Sequence, residues 1–143
     1  MKLPPQLADL PRPLYFFDGH CVLCSRFVEF CIDHDDAGGL KFASTQSVLG
    51  QHVVQALGLP AATLDRTILL IEVDTVYMQS TAALRSLYHL NGWPRLLLPL
   101  LHLPAFLRDP AYNLIARNRY RWFGRRPTCF VPTPQTRDRF IDL

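Results

Sequence analysis

Two cysteines separated by two residues, Cys21 and Cys24, follow the apolar run Leu14-Tyr15-Phe16-Phe17 and the turn Asp18-Gly19-His20. Paired thiols at this spacing can exchange with a disulfide: one thiolate attacks, a mixed disulfide forms, and the second thiol resolves it. If a helix starts at Cys21, its positive end stabilises a thiolate and lowers that thiol's pKa below the ordinary value of about 8.5. Cys21 is then the expected attacker, in the exposed first position, and Cys24, one turn in, the more buried resolving thiol. Asp18 has two readings, a turn residue before Gly19 and a proton acceptor for Cys24 during resolution. His20 abuts Cys21 and is a further candidate for stabilising the thiolate. This chemistry requires no bound cofactor, because a redox-active disulfide, Cys21-Cys24, carries both electrons.

A Cys-x-x-Cys is also half of many zinc sites, so a metal-binding module is the competing reading. The sequence lacks a second close Cys or His pair, and no metal ligand set is assigned. Cys31 lies on the same helical face as Cys24 and reads as a small core residue. Cys129 reads as an unpaired thiol, with a regulatory disulfide as its alternative.

The elements that must position these thiols follow from hydrophobic pattern and turn signals. Pro13 to Phe17 reads as a short buried strand. From Cys21, the apolar Cys24, Phe27, Val28, Cys31 and Ile32 recur at helical spacing while Ser25, Arg26, Glu29 and Asp33 take the other side, which predicts a helix to about His34. Leu40 to Ala43 is a second strand, and Ser47 to Leu57 a second helix ended by Gly58 and Pro60. Thr67 to Val73 and Val76 to Gln79 flank Asp74-Thr75 as a hairpin. Ser80 is the expected cap of a third helix, Thr81 to Leu90. Prolines 94, 99 and 104 predict one or two short helices, and Asp109-Pro110 the start of a further helix to about Trp122. The order β-α-β-α-β-β-α is that of a thioredoxin-like α/β fold: a central mixed four-stranded sheet flanked by helices, here with extra C-terminal helices. We expect a single domain over residues 1–143, with an extended N-terminal segment at 1–12 and a helical extension and tail at 93–143.

At 143 residues and 49% hydrophobic composition, the chain can bury an ordinary core without disulfide staples. Four cysteines so unevenly placed do not form a secreted scaffold. Met1 to Pro13 has no apolar leader stretch, and Trp93 to Leu107 is proline-interrupted and shorter than the roughly 20 residues of a membrane span. These features predict a cytoplasmic protein without a membrane span. The net charge of +3 is mild, but Arg117, Arg119, Arg121, Arg125 and Arg126 cluster around Tyr120, Trp122 and Phe123. This cluster reads as a solvated helix face with core aromatics, or as a docking site for an acidic partner or a small anionic thiol. Nucleic acid is not expected, since one short cluster on a chain of modest charge is too little.

The residues Asp18, Cys21 and Cys24 match the Asp-x-x-Cys-x-x-Cys signature of the DCC family of thiol-disulfide oxidoreductases. The segments Ser80-Thr81-Ala82-Ala83-Leu84-Arg85 and Asn118-Arg119-Tyr120-Arg121-Trp122-Phe123-Gly124 also look like that family's later motifs. The chain resembles this family from about Leu14 to Cys129. The resemblance implies a thioredoxin-like thiol-disulfide oxidoreductase acting on a disulfide-containing protein or a low-molecular-weight thiol. Thioredoxins place a cis-proline beside the dithiol where this chain has Asp65-Arg66-Thr67. Arg66 or Thr67 is therefore expected to face the sulfurs, with Ser80 and Arg85 contributing to the same pocket.

Overall fold

Leu14–Phe17 forms the central strand β1, and all four of its residues are buried. A strand buried on both faces needs apolar side chains at every position, which accounts for the unbroken apolar run. In the computed structural model, which describes residues 2–65, 67–125, 127 and 131–141, β1 sits between two partners. It pairs in parallel with β2 (Lys41–Ser44) and antiparallel with β3 (Leu69–Glu72), and β3 pairs antiparallel with β4 (Thr75–Met78). The sheet order β2-β1-β3-β4, with helices packed on it, is thioredoxin-like.

A parallel pair cannot be joined by a tight turn, so α1 (Val22–His34) spans the crossover from β1 to β2. α2 (Val48–Ala56) connects β2 toward β3, and α3 (Gln79–Ser86) follows β4. Side chains alternate across β1. Tyr15 and Phe17 pack with Val28 and Cys31 of α1 and Ala82 of α3; Leu14 and Phe16 pack on the opposite face with Val53 and Val54 of α2. Local polar groups define the helix ends. Ser47 Oγ accepts from Gly50 N at 3.0 Å and caps α2. Asp35, after α1, accepts from Gly38 N and Leu40 N and from Arg139 Nη2 at 2.6 Å, so it also holds the C-terminal tail.

Three expectations need correction. Ser80 does not cap α3: the helix begins one residue earlier, directly from Met78 of β4, and its Gln79 N donates to Thr67 Oγ1 at 2.8 Å. No loop separates strand from helix, so the N-cap position falls on Met78, whose side chain makes no capping hydrogen bond, and the Ser80 hydroxyl is engaged elsewhere. The last helix, α4 (Ala105–Phe123), begins before Asp109-Pro110 and encloses Pro110. Pro104 ends the preceding 3-10 segment, Trp93–His102, and stands at the N-cap of α4. Residues 1–12 are not simply extended. They contain a 3-10 turn, Pro5–Leu7, whose Leu7 is buried against the α2 side of the sheet.

The tail returns to the sheet edge. Ile141 N donates to Phe42 O at 2.8 Å, and Phe140 forms a single bridge beside Phe42 of β2. This covers part of an edge that would otherwise present unpaired backbone groups.

Phe16 is fully buried in the central strand, and its truncation leaves a cavity that the sheet cannot close. Phe16→Ala is expected to destabilise the chain by about 3–5 kcal/mol, measured as a lower urea midpoint with unchanged slope.

Candidate active site

The turn between β1 and α1 brings Asp18, Cys21 and Cys24 together at the carboxyl end of β1. Cys21 is the N-cap of α1, in extended backbone geometry, and its Sγ accepts from Cys24 N at 3.2 Å. A serine or aspartate oxygen commonly occupies that capping position; here a sulfur does. Cys21, Cys24 and Cys31 are all free.

The two sulfurs are unequal. The Cys24 thiol donates to Cys21 Sγ; against the opposing effect of burial, this bond, the Cys24 amide and the Arg119 charge lower the Cys21 pKa to about 7. The same bond, seen from the donor side, raises Cys24 far above the ordinary thiol range, and burial adds to it. Cys31 is pushed up to about 12, mainly by burial, and packs in the core, as its place on the helix predicted.

The exposed position expected for Cys21 is not observed. Cys21 is 0% exposed, because the chain leaving α4 lies across it: Val22 N donates to Gly124 O at 3.3 Å, and Cys21 forms an antiparallel bridge with Arg125. Gly124 makes this crossing at φ 100°, a conformation that a side chain disfavours. Cys24 is instead half-buried and lines an apolar cavity of about 180 Å³ with Leu23, Phe27, Ile68, Tyr112 and Arg119.

Asp18 is the most connected group of the site. Its Oδ1 accepts from His20 N at 2.9 Å and Gln46 Nε2 at 2.6 Å. Its Oδ2 accepts from Arg119 Nη2 at 3.2 Å and from the Tyr120 hydroxyl. Burial alone would raise its pKa, but these four hydrogen bonds, led by that of Tyr120, bring it below the usual carboxylate value. A carboxylate offers about four lone-pair sites, and all are in use. Asp18 is thus held ionised. Its partner Arg119 is only 12% exposed at the side chain and lies over the Tyr120 ring.

Asp18, Cys21 and Cys24 lie together, as their spacing implies, but the partners of Asp18 were not anticipated. Arg119 stood among the arginines read as a solvated face, yet it turns inward beside Tyr120, whereas Trp122 and Phe123, expected in the core with Tyr120, are 52% and 46% exposed. Gln46, which also accepts from Gly19 N and Ser44 Oγ, carried no signal beyond its place before Ser47. His20 contributes its backbone amide to Asp18. Thr67 lines a narrow crevice that Asp18, Cys24 and Arg119 also line, with its hydroxyl engaged by Gln79 N and Ile68 O. Ser80 donates to Asp109 Oδ1 at 2.5 Å and accepts from Arg108, so it ties α3 to α4 and does not line the thiol cavity. Arg85 is directed to the opposite end of β3, where it pairs with Glu72 at 2.7 Å and lies over Tyr77. Phe16 pairs with Leu69 and Leu14 with Ile71, which places Glu72 at the end away from Phe17 and Asp18. Arg66 and Cys129 lie outside the described residues. Among the described residues, no three His, Cys, Asp or Glu side chains are grouped to hold a metal.

A model of the family described as DCC1-like thiol-disulfide oxidoreductase matches residues 15–125. The chain is 39% identical over 133 residues to "Uncharacterized protein YuxK" of Bacillus subtilis (strain 168), covering 93% of this chain and 96% of that one. It is 34% identical over 119 residues to "DCC family protein At1g52590, chloroplastic" of Arabidopsis thaliana, covering 82% of this chain and 69% of the relative. No solved structure matches.

The geometry predicts the titration of the reactive thiol. The rate of Cys21 alkylation should rise with pH through a midpoint of about 7, and Cys24→Ala, which removes the thiol donor, should move that midpoint up toward an ordinary thiol. The folded pKa lies below the unfolded value of about 8.5. The reduced protein should therefore gain stability as pH rises between these values and lose that gain as pH falls through the folded pKa. Cys21→Ala should abolish the gain in a denaturation series.

Proposed function

The chain belongs to the DCC1-like thiol-disulfide oxidoreductase family, and from that premise we propose that it is an enzyme exchanging two electrons with a disulfide through Cys21 and Cys24. The observation that carries this reading is the single hydrogen-bonded pair at the start of α1, in which one thiol is brought to about pKa 7 at the expense of the other.

The Cys21 thiolate attacks one sulfur of the partner disulfide. The partner's S–S bond breaks, Cys21 becomes bonded to the attacked sulfur, and the other sulfur leaves as a thiolate that takes a proton from water. The largest cause that kept Cys24 protonated was its hydrogen bond to the Cys21 thiolate, reinforced by that thiolate's charge. Both vanish in the mixed disulfide. Cys24 then loses its proton to water more readily and attacks Cys21 Sγ, forming the Cys21-Cys24 disulfide and releasing the second substrate thiolate, which is protonated from water. No resident cofactor enters these steps.

Arg119, whose charge favours the thiolate at either cysteine, acts electrostatically throughout. The occupied lone pairs and lowered pKa of Asp18 favour a positioning role, holding Arg119 and Tyr120, over acceptance of the Cys24 proton. Because Gly124 and Arg125 cover Cys21, attack requires this crossing to yield to the substrate. The proposed partner is a disulfide-containing protein or a low-molecular-weight thiol compound, and the proposed setting is the cytoplasm. Among the described residues no helix is long and apolar enough to cross a membrane.

Turnover of a low-molecular-weight disulfide, with an added dithiol that re-reduces the Cys21-Cys24 disulfide, tests the assignment. Cys21→Ser should abolish turnover, while Cys24→Ser should stop at a mixed disulfide on Cys21, visible as an adduct by mass spectrometry. Retained turnover in Cys21→Ser overturns the reading. Arg119→Ala should shift the pH–rate profile upward, since the thiolate loses a neighbouring positive charge.

A further inference from the structure

α4 buries none of its residues, although it is the longest helix described. Polar contacts hold it to the domain: Asp109 to Ser80, Tyr112 to Ile68 N, and Arg119 and Tyr120 to Asp18. These come from one side. On the opposite side Leu107, Leu114 and Trp122 recur at seven and eight residues, the spacing of one helical face, and all three are exposed. The preceding 3-10 segment continues the surface with Leu96 and Leu100, and Phe106, 74% exposed, stands at the junction. Both tryptophans of the chain are exposed, Trp122 on this face and Trp93 at the start of the 3-10 segment, where it meets Phe30 and His34 of α1 edge-on.

The charge of this region has one sign. Between Gly92 and Arg125 the sequence holds six arginines and a single acidic residue, Asp109, which Ser80 engages. Arg117 and Arg121 are exposed and flank the apolar stripe, and neither joins an ion pair among the described residues.

We propose that the outer surface of the 3-10 segment and α4 docks peripherally on an anionic lipid bilayer. Its leucines and aromatic rings enter the boundary between headgroups and acyl chains, and Arg117 and Arg121 meet lipid phosphates. An exposed apolar strip of this extent marks an interaction surface. Exposed leucine and tryptophan suit the boundary between headgroups and acyl chains, where amphipathic rings settle, and neighbouring arginines suit its phosphates. A second copy of the chain fits less well, because the surface carries arginines and almost no acid, so a self-contact sets like charges together. Anionic lipid supplies both the apolar medium and the opposite charge. Docking would also hold the dithiol about one helix diameter, roughly 10 Å, from the lipid, because α4 carries Asp18's partners on its other face. The inference rests on the surface alone and stands or falls independently of the redox reading.

Sedimentation of the full chain with phosphatidylcholine vesicles, with and without a phosphatidylglycerol fraction, tests it directly. The expected result is binding to the phosphatidylglycerol-containing vesicles, weakened by salt and accompanied by a blue shift of tryptophan emission. Arg117→Glu with Arg121→Glu should reduce that binding about tenfold or more, and Leu107→Glu with Leu114→Glu should remove the blue shift. Unchanged urea midpoints show that the variants are folded. Absence of binding to either vesicle, or equal binding to both, overturns the proposal. So does a dimer in solution that buries both tryptophans while vesicles are ignored, or saturable binding to an acidic polypeptide without binding to lipid.

Discussion

A buried carboxylate must be neutralised or surrounded by donors, because an isolated charge away from water costs far more than the fold can spare. Asp18 satisfies that constraint with donors from separate parts of the chain: the His20 amide in its own turn, Gln46 after β2, and Arg119 and Tyr120 on α4. Much of the remaining architecture follows from it. α4 contributes no fully buried residue, so beside the packing of Tyr112 against the core its seating relies on such polar ties. The loop before α2 is drawn to the thiol turn, and Ser44, at the end of β2, is linked to it through Gln46. Removing one partner of such a pair leaves the other buried and unpaired, which is why these contacts act as a unit.

The reactivity of the dithiol comes from a smaller and more local geometry. With Cys21 as N-cap, the amide of Cys24, at the third helical position, and the Cys24 thiol both point at one sulfur. The effect on the two thiols is opposite, since stabilising the acceptor's thiolate is the same interaction as retaining the donor's proton. Burial raises both, and Arg119 opposes it at both. Arg119 therefore connects the Asp18 cluster to the thiol pair: the carboxylate holds the guanidinium, and the guanidinium supplies charge to the sulfurs. α4 is accordingly two-sided, with one face completing the thiol environment and the other exposed and apolar.

The order of strands and helices was legible because its signals are local. Leu14 to Phe17 is apolar at every position, as a central strand requires, and observed strand ends fall within one or two residues of the expected ones. Ser47 caps as a serine should. The misreadings at Ser80 and Asp109-Pro110 share a cause: a residue type suited to a helix start was taken as a start, while the backbone had already entered the helix upstream. Arg85 was expected beside the thiols through the family-like motif it shares with Ser80, but α3 carries it along β3 to Glu72 at the other end of the sheet.

By itself, the sequence determined the dithiol, its position at a strand-turn-helix junction, the preceding aspartate and the thioredoxin-like order. Each depends on residues within about two helical turns of one another, where backbone geometry dictates what can meet. Tertiary structure decided what surrounds the sulfurs. Arg119 and Tyr120 reach Asp18 across a hundred residues, and Gly124 and Arg125 cover the cysteine that spacing alone placed in the open. Such contacts depend on how the last helix is seated on the sheet, and no periodicity within that helix records which of its arginines turns inward.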